Sequence, residues 1–85
     1  MRKLIAGNWK MNGRRADGAA LARDVAARAA ATAPRCDLLI CPPATLLTEI
    51  AAVLAGGPIA LGGQDCHAEA KGAHTGDISG AMLRD

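Results

Sequence analysis

Phenylalanine and tyrosine are absent from this 85-residue chain, and one tryptophan, Trp9, is its only aromatic side chain. Its core must be aliphatic, and much of the 51% hydrophobic content is alanine, which buries little area. At roughly 25 cal/mol per Å² of apolar burial, such a piece barely offsets its chain entropy, so marginal stability in isolation is expected. Clustered charge is also lacking. Ten basic and eight acidic residues are interspersed, for a net charge of +2, whereas a nucleic-acid footprint needs a concentrated basic face. The only basic doublet, Arg14-Arg15, reads as a solvated loop with at most a secondary pull on an anionic ligand. No stretch approaches the roughly 20 apolar residues of a membrane span. The opening run to Gly7 is broken by Asn8 and Lys10, short of the roughly 7–15 apolar residues of a signal peptide.

Three cysteines, Cys36, Cys41 and Cys66, are an odd number without a Cys-x-x-Cys pair. Free thiols and a reducing cytoplasm are therefore expected, not a disulfide framework. Cys66-His67 taken with Cys36 and Cys41 lacks ligand-like spacing, because Cys36 and Cys41 flank a strand at odd spacing and face opposite sides. No metal site is expected. Cys41 reads as a small buried apolar residue. No Gly-x-Gly-x-x-Gly turn follows the first apolar run, which argues against a dinucleotide-binding sheet.

What is present is an alternation of short apolar runs and helical periodicity. Residues 3–9 read as a strand apolar on both faces until Asn8, followed by the turn signal Asn12-Gly13. Residues 17–31 are helical. Leu21, Val25 and Ala29 recur on one face, Asp17 sits in the first turn, and Pro34 ends the helix. Residues 37–41 form a second strand around Leu38-Leu39-Ile40, stopped by Pro42-Pro43. A second helix starts at Ala44 or Thr45 and runs to Leu54 with the stripe Leu47, Ile50, Ala51, Leu54, and Gly56-Gly57-Pro58 terminates it. Residues 59–63 are a third strand. The order β-α-β-α-β predicts a parallel α/β sheet, without separating a closed barrel from an open one. Residues 65–78 lack periodicity, and a loop so long is usually functional or disordered. Ser79 is a plausible N-cap for a further helix.

The most informative stretch is Ala6-Gly7-Asn8-Trp9-Lys10-Met11-Asn12. Residues two apart in a strand share a face, so Asn8 and Lys10 are expected to point one way and Trp9 the other. A neutral amide and a compact cation side by side at a strand end suit an anionic, oxygen-rich ligand such as a phosphorylated small molecule.

This stretch, with Cys41-Pro42-Pro43, Gly63-Gln64-Asp65 and Gly72-Ala73-His74-Thr75-Gly76-Asp77-Ile78-Ser79 in the same order and spacing, resembles the N-terminal portion of the triosephosphate isomerase family. Ala81-Met82-Leu83-Arg84-Asp85 resembles the opening of that family's third helix. The resemblance implies a (β/α)8 (TIM) barrel, with residues 1–85 the N-terminal part of one barrel domain and only its first three βα units. It implies interconversion of dihydroxyacetone phosphate and glyceraldehyde 3-phosphate, in glycolysis and gluconeogenesis, with no cofactor. It makes Lys10 the catalytic lysine that holds the substrate phosphate, and Asn8 a substrate-binding neighbour. Residues 65–78 become the loop that docks into the partner subunit of a homodimer. Gln64, Thr75, Gly76 and Asp77 are then interface residues, with Thr75 supporting Asn8 of the other subunit. His67 and His74 are interface or solvent residues, since the family's catalytic histidine lies beyond residue 85. The chain departs from the family at His74, where a bulky apolar residue is usual, at Asp77, where Glu is common, and at Asp65, where Asn is more usual. Local packing differences are expected at these positions.

A full barrel needs about 250 residues. The 85 residues, ending at Asp85 within a helical pattern, are therefore expected to be a piece of a longer protein and inactive alone. A rival reading is a non-catalytic interaction module built on the loop. Another is a small anion- or nucleic-acid-binding domain around Lys10, Arg14 and Arg15, which the balanced charge disfavours.

Overall fold

A computed structural model describes residues 1–85. Three parallel strands, β1 (Lys3–Asn8), β2 (Cys36–Cys41) and β3 (Ile59–Leu61), form one sheet in the order β1-β2-β3. Two helices, α1 (Arg15–Thr32) and α2 (Leu47–Leu54), make the crossovers, and a short α3 (Gly80–Arg84) follows the long loop. The register sets Asn8 beside Cys41 and Ile40 beside Leu61, so the three strands end together. β3 is shorter than expected. Gly62 and Gly63 lie outside it, although the Gly62 N–H still donates to the Ile40 carbonyl at 2.9 Å.

α1 begins two residues earlier than its periodicity suggests. Arg14 is the N-cap and Arg15 the first helical residue, so the basic doublet starts a helix and is not a loop. The Asp17 carboxylate accepts the Arg14 N–H at 2.6 Å, which satisfies one of the free donors of the first turn. At the other end Ala33 turns left-handed, with φ 44°, and closes the helix before Pro34.

The buried face of α1 differs from the expected one. Gly18, Ala19, Ala22 and Ala29 are buried, whereas Leu21 is 48% exposed and Val25 is half-buried. The reason is Leu46. A Cβ at Gly18 would lie 2.9 Å from a Leu46 methyl, so the helix approaches on its small residues and leucine at position 21 is turned outward.

Leu46 also changes the phase of the second helix. Ala44–Leu46 form a 3₁₀ turn, closed by the Leu46 N–H on the Pro43 carbonyl at 2.9 Å. That turn winds more tightly than an α-helix. The buried stripe becomes Leu46, Ile50 and Leu54, while Leu47 is only half-buried and Ala51 is exposed. Arg15 and Glu49, 3.5 Å apart, link the two helices at the surface.

Ala22, Ala29, Ile40, Leu46, Ile50, Leu54 and Ile59 form the core between helices and sheet, with Trp9 packed against it. Cys41, expected to be buried, is half-buried. All of β1 is exposed, including Leu4 and Ile5. The accessible surface is 6315 Å², against about 4,700 Å² for a compact monomer of this mass. The radius of gyration is 13.6 Å, against about 11.9 Å for a compact domain of this length. Open strand edges and an uncovered sheet face account for the excess.

Candidate active site

The strand ends meet in a hub of backbone groups tied by amide side chains. β1 stops at Asn8, so strand alternation does not extend to Lys10. Lys10 instead adopts a left-handed backbone with φ 57°. Asn8 and Lys10 are joined by an Asx turn, in which the Asn8 Oδ1 accepts the Lys10 N–H at 2.9 Å. The Asn8 side chain thus meets the backbone of Lys10 through a turn, and the shared strand face expected for the two residues is not formed.

Gln64 completes the hub. Its Nε2 donates to the Lys10 carbonyl and to the Cys41 carbonyl, both at 2.9 Å. An amide nitrogen carries two hydrogens, so both bonds are made at once. The Cys41 carbonyl also accepts the Trp9 N–H at 3.1 Å, and the Asn12 Nδ2 donates to the Trp9 carbonyl at 2.9 Å. One glutamine after β3 therefore clamps the ends of β1 and β2. A left-handed backbone at a non-glycine residue costs about 1–2 kcal/mol. It persists where the surroundings over-determine it. Here the N–H of Lys10 is held by Asn8 and its C=O by Gln64.

Lys10 is exposed, and it takes part in none of the chain's four ion pairs. A solvent-facing ammonium on a fixed backbone, at the C-terminal ends of parallel strands, is placed to receive an anion. A cavity of about 320 Å³ lies on the α1 side of the turn, lined by Trp9, Asn12, Gly13, Asp17, Gly18 and Leu21. Neither Asn8 nor Lys10 lines it, so the cation and that cavity are separate features.

The other expected site residues lie on the loop from Gln64 to Ser79. Its neck is closed. The Asp65 Oδ2 accepts the Ile78 N–H at 2.8 Å, and the His67 N–H donates to the Ile78 carbonyl at 2.7 Å. An asparagine oxygen would serve as well as Asp65 in the first bond. Ser79, 4% exposed, caps α3 by accepting the Met82 N–H at 3.2 Å. Thr75 and Gly76 occupy a turn closed by the Asp77 N–H on the His74 carbonyl at 3.0 Å, with Gly76 at φ 89°. The His67 and His74 rings stack 3.8 Å apart, and Asp77 lies 3.9 Å from the His67 Nε2.

Two roles were not legible in the sequence. Gln64 was expected at an interface, and nothing in the pattern signals its two bonds within the chain. Asn12 was read only as half of a turn dipeptide, although an amide just beyond a strand end is a reasonable candidate for holding a local carbonyl.

The family model described as triosephosphate isomerase matches residues 3–85. The chain is 60% identical over 84 residues to the triosephosphate isomerase of Ruegeria pomeroyi, covering 99% of this chain and 32% of that protein. It is 54% identical over 83 residues to that of Granulibacter bethesdensis, covering 98% of this chain and 33% of that protein. The crystal structure of the Bartonella henselae triosephosphate isomerase superposes with a TM-score of 0.86 at 45% identity, covering 99% of this chain and 34% of that one. The chain thus spans about a third of the length of the relatives it matches.

Proposed function

The chain belongs to the triosephosphate isomerase family, and on that premise we propose that it supplies one wall of an isomerase active site within a single (β/α)8-barrel domain. The substrate pair is dihydroxyacetone phosphate and glyceraldehyde 3-phosphate. The observation that carries this reading is the clamped left-handed turn at Lys10. Proton transfer between adjacent carbons builds negative charge on the substrate oxygens as an enediolate forms. A cation already held in place needs no reorganisation as that charge grows, and it lowers the barrier. Lys10 is the catalytic cation and phosphate contact, Asn8 orients the substrate, and Gln64 holds the Lys10 backbone.

The general base and the group that polarises the carbonyl come from strands outside these 85 residues. His67 and His74 sit on the loop and do not fill those roles. The same loop, 65–78, docks on a second subunit of a homodimer, with Gln64, Thr75, Gly76 and Asp77 at the contact. Its closed neck supports that use, since the loop keeps its shape without help from later chain. The compartment that fits three free cysteines is the cytoplasm. No helix is long and apolar enough to cross a membrane.

The test is an isomerase assay on the longest natural polypeptide containing these residues, beside a chain ending at Asp85. Turnover by the first and none by the second is the expected outcome. Activity in the 85-residue chain would refute the assignment of the base to later strands. The closed loop favours one second reading, an interaction module that pairs with an intact barrel. Co-purification of the 85-residue chain with a full-length subunit, without added turnover, would support it.

A further inference from the structure

Asn12, just beyond the Lys10 turn, holds a peptide that neither the strands nor Gln64 reach. The peptide unit between Trp9 and Lys10 is bonded on both sides. Its N–H donates to the Asn8 Oδ1 and its carbonyl accepts the Asn12 Nδ2, each at 2.9 Å. The two bonds form a chain. Asn12 fixes the carbonyl, the rigid peptide plane fixes the opposed N–H, and the N–H fixes the Asn8 oxygen. With its oxygen engaged, the exposed Asn8 amide turns its Nδ2 the other way, towards solvent. We propose that Asn12 is a positioning residue for the isomerase reaction, acting through the Trp9–Lys10 peptide to set which end of the Asn8 amide faces the substrate. The inference rests on the isomerase reading and extends it by one residue.

The motion that Asn12 prevents is a peptide flip. Half a turn of that plane about the line joining the Trp9 and Lys10 Cα atoms changes only ψ of Trp9 and φ of Lys10. The φ of 57° at Lys10 then becomes negative, the ordinary range for a lysine. Strain therefore favours the flip, and the packing of the Trp9 side chain against the core does not oppose it. The Trp9 N–H bond to Cys41 lies on the preceding plane and the Gln64 bond to Lys10 on the following one, so neither opposes it either. Only the Asn8 and Asn12 bonds are broken by the flip. The strain is comparable to one exposed hydrogen bond and smaller than two. With both bonds the left-handed Lys10 is held, and with one the two orientations are close in free energy.

A flipped peptide presents a carbonyl where Asn8 now meets an N–H. The Asn8 oxygen is repelled, its Nδ2 turns inward to donate to that carbonyl, and the amide oxygen is left outward. An anionic, oxygen-rich ligand needs a donor there and meets an acceptor. Asn12 is itself backed by the core. Gly13, at φ 109°, seats the chain so closely that a Cβ there would lie 3.6 Å from the Trp9 ring and 3.2 Å from a Leu46 methyl.

The test is a cycle of variants in the longest natural polypeptide containing these residues, read by steady-state isomerase assay. Asn12→Ala should lower kcat/KM about 10-fold, the worth of one hydrogen bond to the substrate. Asn12 is exposed, so the denaturant midpoint should stay near that of the parent. Asn12→Asp keeps the shape without the donor hydrogens and should fall as well. Asn8→Ala should lower kcat/KM at least as far, and adding Asn12→Ala to it should cost less than a further 2-fold, roughly the scatter of such cycles. A merely structural role would make the two losses multiply. Parent-like kcat/KM in Asn12→Ala or Asn12→Asp, or losses that multiply in the double variant, would overturn the proposal. Parent-like rates in both Lys10→Met and Asn8→Ala would sink the isomerase reading itself, whereas losses there beside an unaffected Asn12→Ala would sink this inference alone.

Discussion

The turn at residues 8–12 and the loop at 65–78 both leave regular structure, but they are held in opposite ways. Lys10 is fixed at both its N–H and its carbonyl by side chains from two different segments, Asn8 and Gln64. The loop is bonded at its neck, and beyond that by contacts among its own residues: a turn, a ring stack, the Glu69 N–H on the His67 Nδ1, and the approach of Asp77 to His67. The first segment reaches the sheet, while the second reaches only itself. A reactive group gains from geometry fixed by distant elements, because thermal motion of one segment then cannot carry it away. A loop that holds only its own outline is left free to meet another surface.

The contrast can be broken from below. Leu46 lies under both Gly13 and Gly18 and is 2% exposed. Leu46→Ala should cost about 2–5 kcal/mol in denaturant unfolding, the largest effect expected. It should loosen the hub together with the helix and leave the loop's turn untouched. At the hub, Lys10→Met in the assembled protein should lower kcat about 10²–10³-fold by steady-state assay, with the circular dichroism spectrum unchanged. An unchanged rate would remove Lys10 from the chemistry.

Smaller changes sharpen the comparison. Gln64→Leu strips a donor from the carbonyls of Lys10 and Cys41 and should cost about 1–3 kcal/mol. Lys10→Gly relieves the left-handed backbone and should raise the unfolding free energy by about 1 kcal/mol while lowering kcat at least as far as Lys10→Met does. Loss of stability in that variant would mean that the clamp carries no strain. On the loop, Gly76→Ala meets open space, so only its φ of 89° opposes the change. It should cost about 1 kcal/mol, read as a shift in denaturant midpoint.

Much of the fold was legible along the chain. Leu38-Leu39-Ile40 stopped by Pro42-Pro43 read as a strand, and Ser79 read as a cap, because both signals depend on neighbours in sequence. The rotation of α1 was not legible. Leu21, Val25 and Ala29 keep helical spacing as well as Gly18, Ala22 and Ala29 do, and only Leu46, brought over from the second crossover, decides between them. The site divided in the same way. Asn8 and Lys10 stood out as an amide and a cation two residues apart, but the strand alternation used to pair them stops at Asn8, and the Asn8 amide bonds the Lys10 backbone instead. His67, His74 and Asp77 carried no spacing rule, because a loop has no period.

Taken alone, the sequence determined the succession of strands and helices and the chemical character of the residues at the strand ends. Periodicity, proline and glycine act over a few residues and need no fold to be read. The tertiary structure decided which helix face is buried, how Lys10 is held, and which side chains gather on the loop. Those outcomes rest on contacts such as Gln64 with Lys10, 54 positions apart. No local propensity encodes such a contact, because it forms only after the three strands have paired.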